Sequence, residues 1–180
     1  SEDLEAKRLC SKRSNAISYG FDNKDDIWCE IEKIRESSTD FTVYSAEKKL
    51  GSITLGVPGT HNVLNALAVV ALANELGMEF SVIAQSMAEF RGARRRFDML
   101  YKSSNYSIVD DYGHHPTEIK ATIETAKQLN PERLVCVFQP HRYTRTKLML
   151  DKFSSAFSGV DKIFITEVYA AGEAPIVGAD

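Results

Sequence analysis

Apolar and polar positions change rhythm twice along this chain. Over residues 27–34 they alternate, with Ile27, Cys29 and Ile31 on one side and Trp28, Glu30 and Glu32 on the other. A period of two predicts a strand with one buried face. Phe41-Thr42-Val43-Tyr44 and Ser52-Ile53-Thr54-Leu55 predict two more strands, joined by the charged turn around Glu47-Lys48-Lys49. Ile17-Ser18-Tyr19-Gly20 predicts a short one ending at a glycine. The first third therefore reads as an antiparallel meander. Residues 1–16 are polar with scattered apolar positions, and predict a surface helix or loop.

At Val57 the period changes. Pro58-Gly59-Thr60 breaks the strand, and a helix rich in Ala, Val and Leu nearly all round runs to about Leu76. Thr60 is its expected N-cap and Gly77 its expected C′ residue. Apolar positions all round predict burial. A second helix, Ser81 to Phe90, turns Val82, Ile83, Met87 and Phe90 inward. Arg91-Gly92-Ala93-Arg94-Arg95-Arg96-Phe97 follows, four arginines around a glycine. A solvated charge run is the plain reading of that stretch. A hinge offering bidentate donors to phosphate is the functional one. The domain boundary is placed here, with residues 1–93 on one side and 94–180 on the other.

Beyond Tyr101 strands and helices alternate. Ser107–Asp110 is a strand, and Pro116–Leu129 a helix with Ile119, Ile123, Ala126 and Leu129 inward. Leu134–Phe138 is continuously apolar, as in a strand buried on both faces of a parallel sheet. A helix then runs to about Phe157 with Leu150, Phe153 and Phe157 inward, and Lys162–Ile165 is the last strand. The β-α-β-α-β series predicts an α/β, doubly wound, Rossmann-like parallel sheet.

Composition narrows the class. The chain has 180 residues, 43% hydrophobic and 26% charged, an ordinary globular balance. A net charge of −3 argues against a nucleic-acid binder that works by phosphate neutralisation. No apolar run reaches the roughly 18 residues of a spanning helix, so neither membrane nor nucleic acid is an expected partner. Cys10, Cys29 and Cys136 form no CxxC pair. They read as reduced thiols, with Cys136 a small buried hydrophobe, and a cytoplasmic location is expected.

Open parallel sheets bind ligands beyond the carboxyl ends of their strands. Here those ends carry Asp110-Asp111-Tyr112-Gly113-His114-His115, then Gln139-Pro140-His141-Arg142-Tyr143-Thr144-Arg145, then Thr166-Glu167. Three of the chain's four histidines gather on that edge. One reading is a metal-dependent hydrolase using Asp110, Asp111, His114, His115 and His141, although adjacent histidines rarely serve one ion. Another is anion binding, with arginine and histidine as donors and Asp111 holding a ribose or metal-bound nucleotide. In the first half, Asn62 and Asn65 share a helix face beside His61. Their amides suit an adenine edge, or simply cap the helix.

Four stretches carry a resemblance. Gly59-Thr60-His61-Asn62-Val63-Leu64-Asn65-Ala66-Leu67-Ala68, Phe90 to Phe97, Asp110-Asp111-Tyr112-Gly113-His114-His115-Pro116-Thr117-Glu118-Ile119 and Phe138-Gln139-Pro140-His141-Arg142-Tyr143-Thr144-Arg145-Thr146 resemble the ATP-dependent Mur ligases of peptidoglycan synthesis. Val168-Tyr169-Ala170-Ala171-Gly172-Glu173 agrees. The resemblance covers essentially the whole chain, in order.

Several expectations follow from the resemblance alone. The activity is formation of an amide between L-alanine and UDP-N-acetylmuramate, through an acyl phosphate made with ATP and Mg2+. His61, Asn62 and Asn65 line the adenine site, Arg96 reaches the phosphates, and Asp111 contacts the ribose or nucleotide. Tyr112, His114, His141, Arg142 and Arg145 face the muramoyl carboxylate and the incoming alanine. The catalytic set is Arg96, Asp111, His114, His141, Arg142 and Arg145. Residues 1–93 are the end of a central ATP-binding domain, and 94–180 begin a carboxy-terminal ligase domain. The family's Gly-Lys-Thr phosphate loop does not occur here, nor does the UDP-binding domain. A fragment, inactive by itself, is therefore expected, with magnesium ligands elsewhere and none assigned on this chain. A recycling murein-peptide ligase and a non-catalytic nucleotide-binding module remain alternatives.

Overall fold

The computed structural model describes residues 8–13 and 15–179. Of the expected surface segment 1–16, residues 1–7 and 14 lie outside that range, and Arg8–Cys10 forms a helical turn. The chain divides into two compact units, 1–92 and 93–180.

The first unit is a four-stranded sheet in the order β1 (Tyr19–Gly20), β2 (Ile27–Ile34), β3 (Thr39–Ser45), β4 (Lys48–Leu55). Strands β2, β3 and β4 are antiparallel, as the alternation implies. β1 differs: it runs parallel to β2, with Tyr19 opposite Ile27. A clasp accounts for this. The Asp26 carboxylate accepts from the Ser18 backbone N–H at 2.8 Å and its hydroxyl at 2.9 Å, bringing the chain back alongside itself. Ile27 and Cys29 point inward as expected, and a bulge between Ile31 and Lys33 then breaks the alternation. Burial pushes the Cys29 thiol up to about 12, with the Glu30 charge adding, so it stays an inert hydrophobe.

Two helices cover the sheet, α1 (Thr60–Glu75) and α2 (Phe80–Glu89). Val63, Leu67 and Val70 of α1 pack on Phe41, Val43, Ile53 and Leu55 in one core that also takes Ile83 of α2. The expectation of a helix buried all round fails. Val69, Leu72 and Leu76 are more than half exposed, because one sheet face can cover only one stripe. On α2, Val82 and Phe90 are likewise outside, leaving Ile83 buried and Met87 half-buried. The N-cap is Gly59, at φ 99°, not Thr60. Its carbonyl already accepts from Asn62 and Val63, so the chain turns one residue earlier than expected. Gly77 ends α1 as expected. At φ 76° it donates to Asn74, while Met78 donates to Ala73, which is the paired bonding of a Schellman stop.

The second unit contains β5 (Asp98–Lys102), β6 (Ser107–Asp110), α3 (Pro116–Gln128), β7 (Val135–Phe138), α4 (Tyr143–Leu148), α5 (Leu150–Ala156) and β8 (Lys162–Ile165). β7 and β8 are parallel neighbours joined through α4 and α5, the expected crossover. Two features correct the sequence reading. β6 pairs antiparallel with β5, a strand the pattern did not reveal, and is not hydrogen-bonded to β7. The single predicted helix after β7 is two, broken at Met149, and Leu150 lies outside.

Helices α3 and α5 cover one side of β7, burying Phe138 with Ile119, Ile123, Phe153 and Ala156. The other side of β7 is bare, with Val135 46% and Val137 72% exposed. The continuous apolar run thus has only one of its two expected covers within this chain. Cys136 is half-buried, and burial raises its thiol.

Candidate active site

The carboxyl ends of β6 and β7 do converge. A cavity of about 580 Å3 in the second unit is lined by Asp110, Asp111, Tyr112, Gly113 and His114 from one loop. Gln139, His141 and Tyr169 line it from the segments after β7 and β8. Each wall has a local cause.

The loop after β6 is held by Asp111. Its carboxylate accepts from the Phe97 N–H at 2.9 Å and from the Gly113 N–H at 2.6 Å. Both oxygens therefore have partners on this chain. A Cβ at Gly113 would stand 2.7 Å from one of them, so a larger residue here would push that carboxylate oxygen aside. The start of the loop is tied to the arginine segment. Tyr112 donates to the Arg95 carbonyl at 2.7 Å, and Arg95 pairs with Asp110 at 3.0 Å while lying over the Tyr112 ring. Arg95 and Phe97 both adopt positive φ, at 58° and 52°, a strained backbone on either side of Arg96.

Helix α3 starts at the end of this loop. His115 is its N-cap, its Nδ1 accepting from Thr117 at 3.2 Å, with Pro116 at the first helical position. Glu118 closes a capping box back to His115. The Glu118 carboxylate also accepts from the His114 N–H at 3.1 Å and faces Arg96 at 3.4 Å. Burial pushes this carboxyl up, but the His114 and His115 N–H groups, with the His114 and Arg96 charges, outweigh it. The net shift is down. His114 Nδ1 lies 3.0 Å from the Tyr112 carbonyl. A carbonyl can only accept, so Nδ1 is the donor of that bond.

The facing wall is aromatic and cationic. The His114 and His141 rings lie 5.8 Å apart, and His141 stacks on Tyr169 at 5.4 Å. His141 and Tyr169 also form a parallel bridge beyond β7 and β8, reinforced by the Arg142 N–H donating to the Tyr169 carbonyl at 2.9 Å. Arg145 reaches the His141 carbonyl at 3.3 Å. Arg142, exposed at φ 73°, precedes α4, and Glu173 ties the first turn of that helix through Thr144 at 2.7 Å. Burial and the neighbouring Arg145, His114 and Arg142 charges lower the His141 imidazole, with Glu173 opposing, so it stays neutral near neutral pH.

Acid should therefore weaken this unit in two stages. Below the ordinary histidine value of 6.5, the unfolded chain takes up a proton that folded His141 resists. Below the ordinary glutamate value of 4.5, the same holds for Glu118. A falling melting temperature from pH 7 to pH 3, flattened at its upper end by His141→Asn, is the expected result. A melting temperature unchanged over that range would sink it.

Of the expected site residues, Asp111, Tyr112, His114 and His141 line the cavity, Arg145 touches His141, and Arg96 joins through Glu118. Arg142 stands beside the wall by its backbone. His61, Asn62 and Asn65 belong to the first unit, on the first two turns of α1. There the Asn62 amide donates to the Pro58 carbonyl at 2.7 Å, so it holds the preceding turn and caps no helix N–H, while Asn65 is exposed. Among the described residues no three His, Cys, Asp or Glu converge as a metal would require, and His115 is spent on the helix cap. The sequence reading gave no site role to Arg95, Glu118, Tyr169 or Glu173. Glu118 carried a signal in its spacing three residues after a helix start, and Arg95, Tyr169 and Glu173 only their places in the resembling stretches.

Comparisons with known proteins agree on the lineage. Residues 2–73 match the Mur ligase middle domain, and residues 95–178 match the Mur ligase glutamate ligase domain. A UDP-N-acetylmuramate–L-alanine ligase of Desulforamulus reducens is 42% identical over 163 residues, which is 90% of this chain and 35% of that protein. The structure of a UDP-N-acetylmuramate-alanine ligase from Thermotoga maritima superposes with a TM-score of 0.73 at 35% identity, covering 85% of this chain and 34% of that one. A MurF ligase of the same organism, in complex with ADP, shares the fold at 17% identity, with a TM-score of 0.69 over 91% of this chain and 38% of its own. The chain thus spans about a third of the length of the relatives it matches. It belongs to the Mur ligase family.

Proposed function

We propose that the complete polypeptide joins L-alanine to UDP-N-acetylmuramate at the expense of ATP. The carrying observation is the wall formed by Tyr112, His114, His141, Tyr169 and Arg145 at the carboxyl ends of the strands. The kinship with L-alanine ligases supports the same reading. The muramoyl carboxylate takes the terminal phosphoryl group of ATP and ADP leaves. The alanine nitrogen attacks the acyl carbon, the nitrogen loses a proton, and phosphate departs.

This chain supplies the acceptor side. Arg145 and Arg142 offer paired donors to the alanine carboxylate. His114 Nε2 takes the proton from the amine. His141, held neutral, adds no repulsion to an incoming ammonium. Arg96 offsets charge on the transferring phosphoryl group. His61, Asn62 and Asn65 serve adenine, with Asn65 the exposed amide. ATP supplies the activation energy, and the magnesium that accompanies it has no ligand assigned on this chain. Residues 1–93 are the end of the ATP-binding domain, 94–180 the beginning of the ligase domain, and the 180-residue chain alone is inactive.

Phosphate release by the complete polypeptide, with ATP, magnesium and UDP-N-acetylmuramate, should depend on L-alanine. Release that instead needs an alanyl peptide would indicate the recycling ligase. Release from the 180-residue chain alone would contradict its assignment as an incomplete enzyme.

A further inference from the structure

We propose that Glu118 is a positioning residue that sets the spacing between the His114 imidazole and the Arg96 guanidinium. The inference rests on the ligase reading above.

A capping box needs one bond from the N3 carboxylate to the N-cap N–H, and Glu118 makes it to His115 at 3.1 Å. Its remaining contacts exceed that need. The same oxygen accepts from the His114 N–H at 3.1 Å, one residue outside the helix motif. The other oxygen faces Arg96 Nη1 at 3.4 Å, across 22 residues of sequence. The His114 ring stands 3.9 Å from the carboxylate, too far for a hydrogen bond. It is instead oriented by the Tyr112 carbonyl within the loop that Glu118 pins.

One carboxylate therefore binds three partners: the loop backbone under His114, the start of α3, and the strained arginine segment. Strain at Arg95 and Phe97 means that segment needs an external tether to keep Arg96 in place. The side chain is partly shielded by its neighbours and is not among the residues lining the cavity. It acts through His114 and Arg96, and meets no substrate itself.

The test uses two variants in the complete polypeptide. Glu118→Ala removes all three contacts. Glu118→Gln keeps an oxygen for the two backbone donors and loses the charge facing Arg96. Amine-dependent kcat/KM should fall roughly 30- to 100-fold in E118A, mostly in kcat, the scale of a misplaced catalytic group. E118Q should recover only part of that loss, because the loop stays anchored while the tether to Arg96 is gone. Hydrogen exchange on the 180-residue chain gives an independent reading. The His114 and His115 amides should exchange faster in E118A and stay protected in E118Q.

Unchanged exchange in E118A, or an active E118A, overturns the positioning role. An E118Q as slow as E118A, with its amides still protected, overturns loop anchoring as the source of the effect. A parent with no amine-dependent turnover overturns the ligase reading instead, while the exchange result still decides whether Glu118 holds the loop.

Discussion

Replacing Phe41 by alanine should be the most damaging single change in the first unit, costing about 3–5 kcal/mol. Phe41 is fully buried at the centre of β3, between β2 and β4, and faces α1 across the core. Truncation removes a ring that its neighbours cannot replace, because two hydrogen-bonded strands fix the backbone on either side. For a unit of this size the loss should lower the melting temperature by more than about 10 °C. Val69→Ala is the control. Val69 lies on the open side of α1 at 52% exposure, and its loss should stay within about 0.5 kcal/mol. Thermal unfolding followed by circular dichroism reads both. A drop of only a few degrees in F41A would mean that the core is not organised around that ring.

The second large effect concerns Asp111. Its two oxygens hold the Phe97 and Gly113 N–H groups, so Asp111→Ala should destabilise the second unit by roughly 2–4 kcal/mol with no nucleotide present. Asp111→Asn should cost roughly half as much, since one amide oxygen can still accept while the NH2 meets a donor. Chemical denaturation of the 180-residue chain separates the possibilities. A D111A chain as stable as the parent would leave ligand contact as the carboxylate's sole task. A destabilised one means that loss of activity in the complete enzyme cannot be read as lost nucleotide binding alone.

Much of the site was legible because its chemistry is local. Asp111, Tyr112 and His114 share one loop, and a strand end followed by Pro116 is a turn in almost any fold. His141 could be placed opposite them because parallel strands carry their loops to one edge. Glu118 was harder to see as a hub. Its capping spacing is visible, but its reach to Arg96 spans 22 residues and depends on how the loop folds. Tyr169 showed only as part of a resembling stretch, since a tyrosine after a strand becomes a stacking partner only when β7 and β8 lie side by side.

The chain's own order of residues determined most of the strands and helices, though not β5 or the break at Met149. Alternation marks β2, β3 and β4, a left-handed glycine stops α1, and a proline opens α3. Those features depend on neighbours a few residues away. What only the tertiary structure decided is which edges pair and which faces are covered. β1 lies parallel to β2, β6 pairs with β5 and not with β7, and Val137 and Leu72 stand exposed despite apolar surroundings in sequence. Period and propensity report that a surface is fit for burial. Whether another surface arrives to bury it depends on contacts between segments far apart in the chain, which no local pattern records.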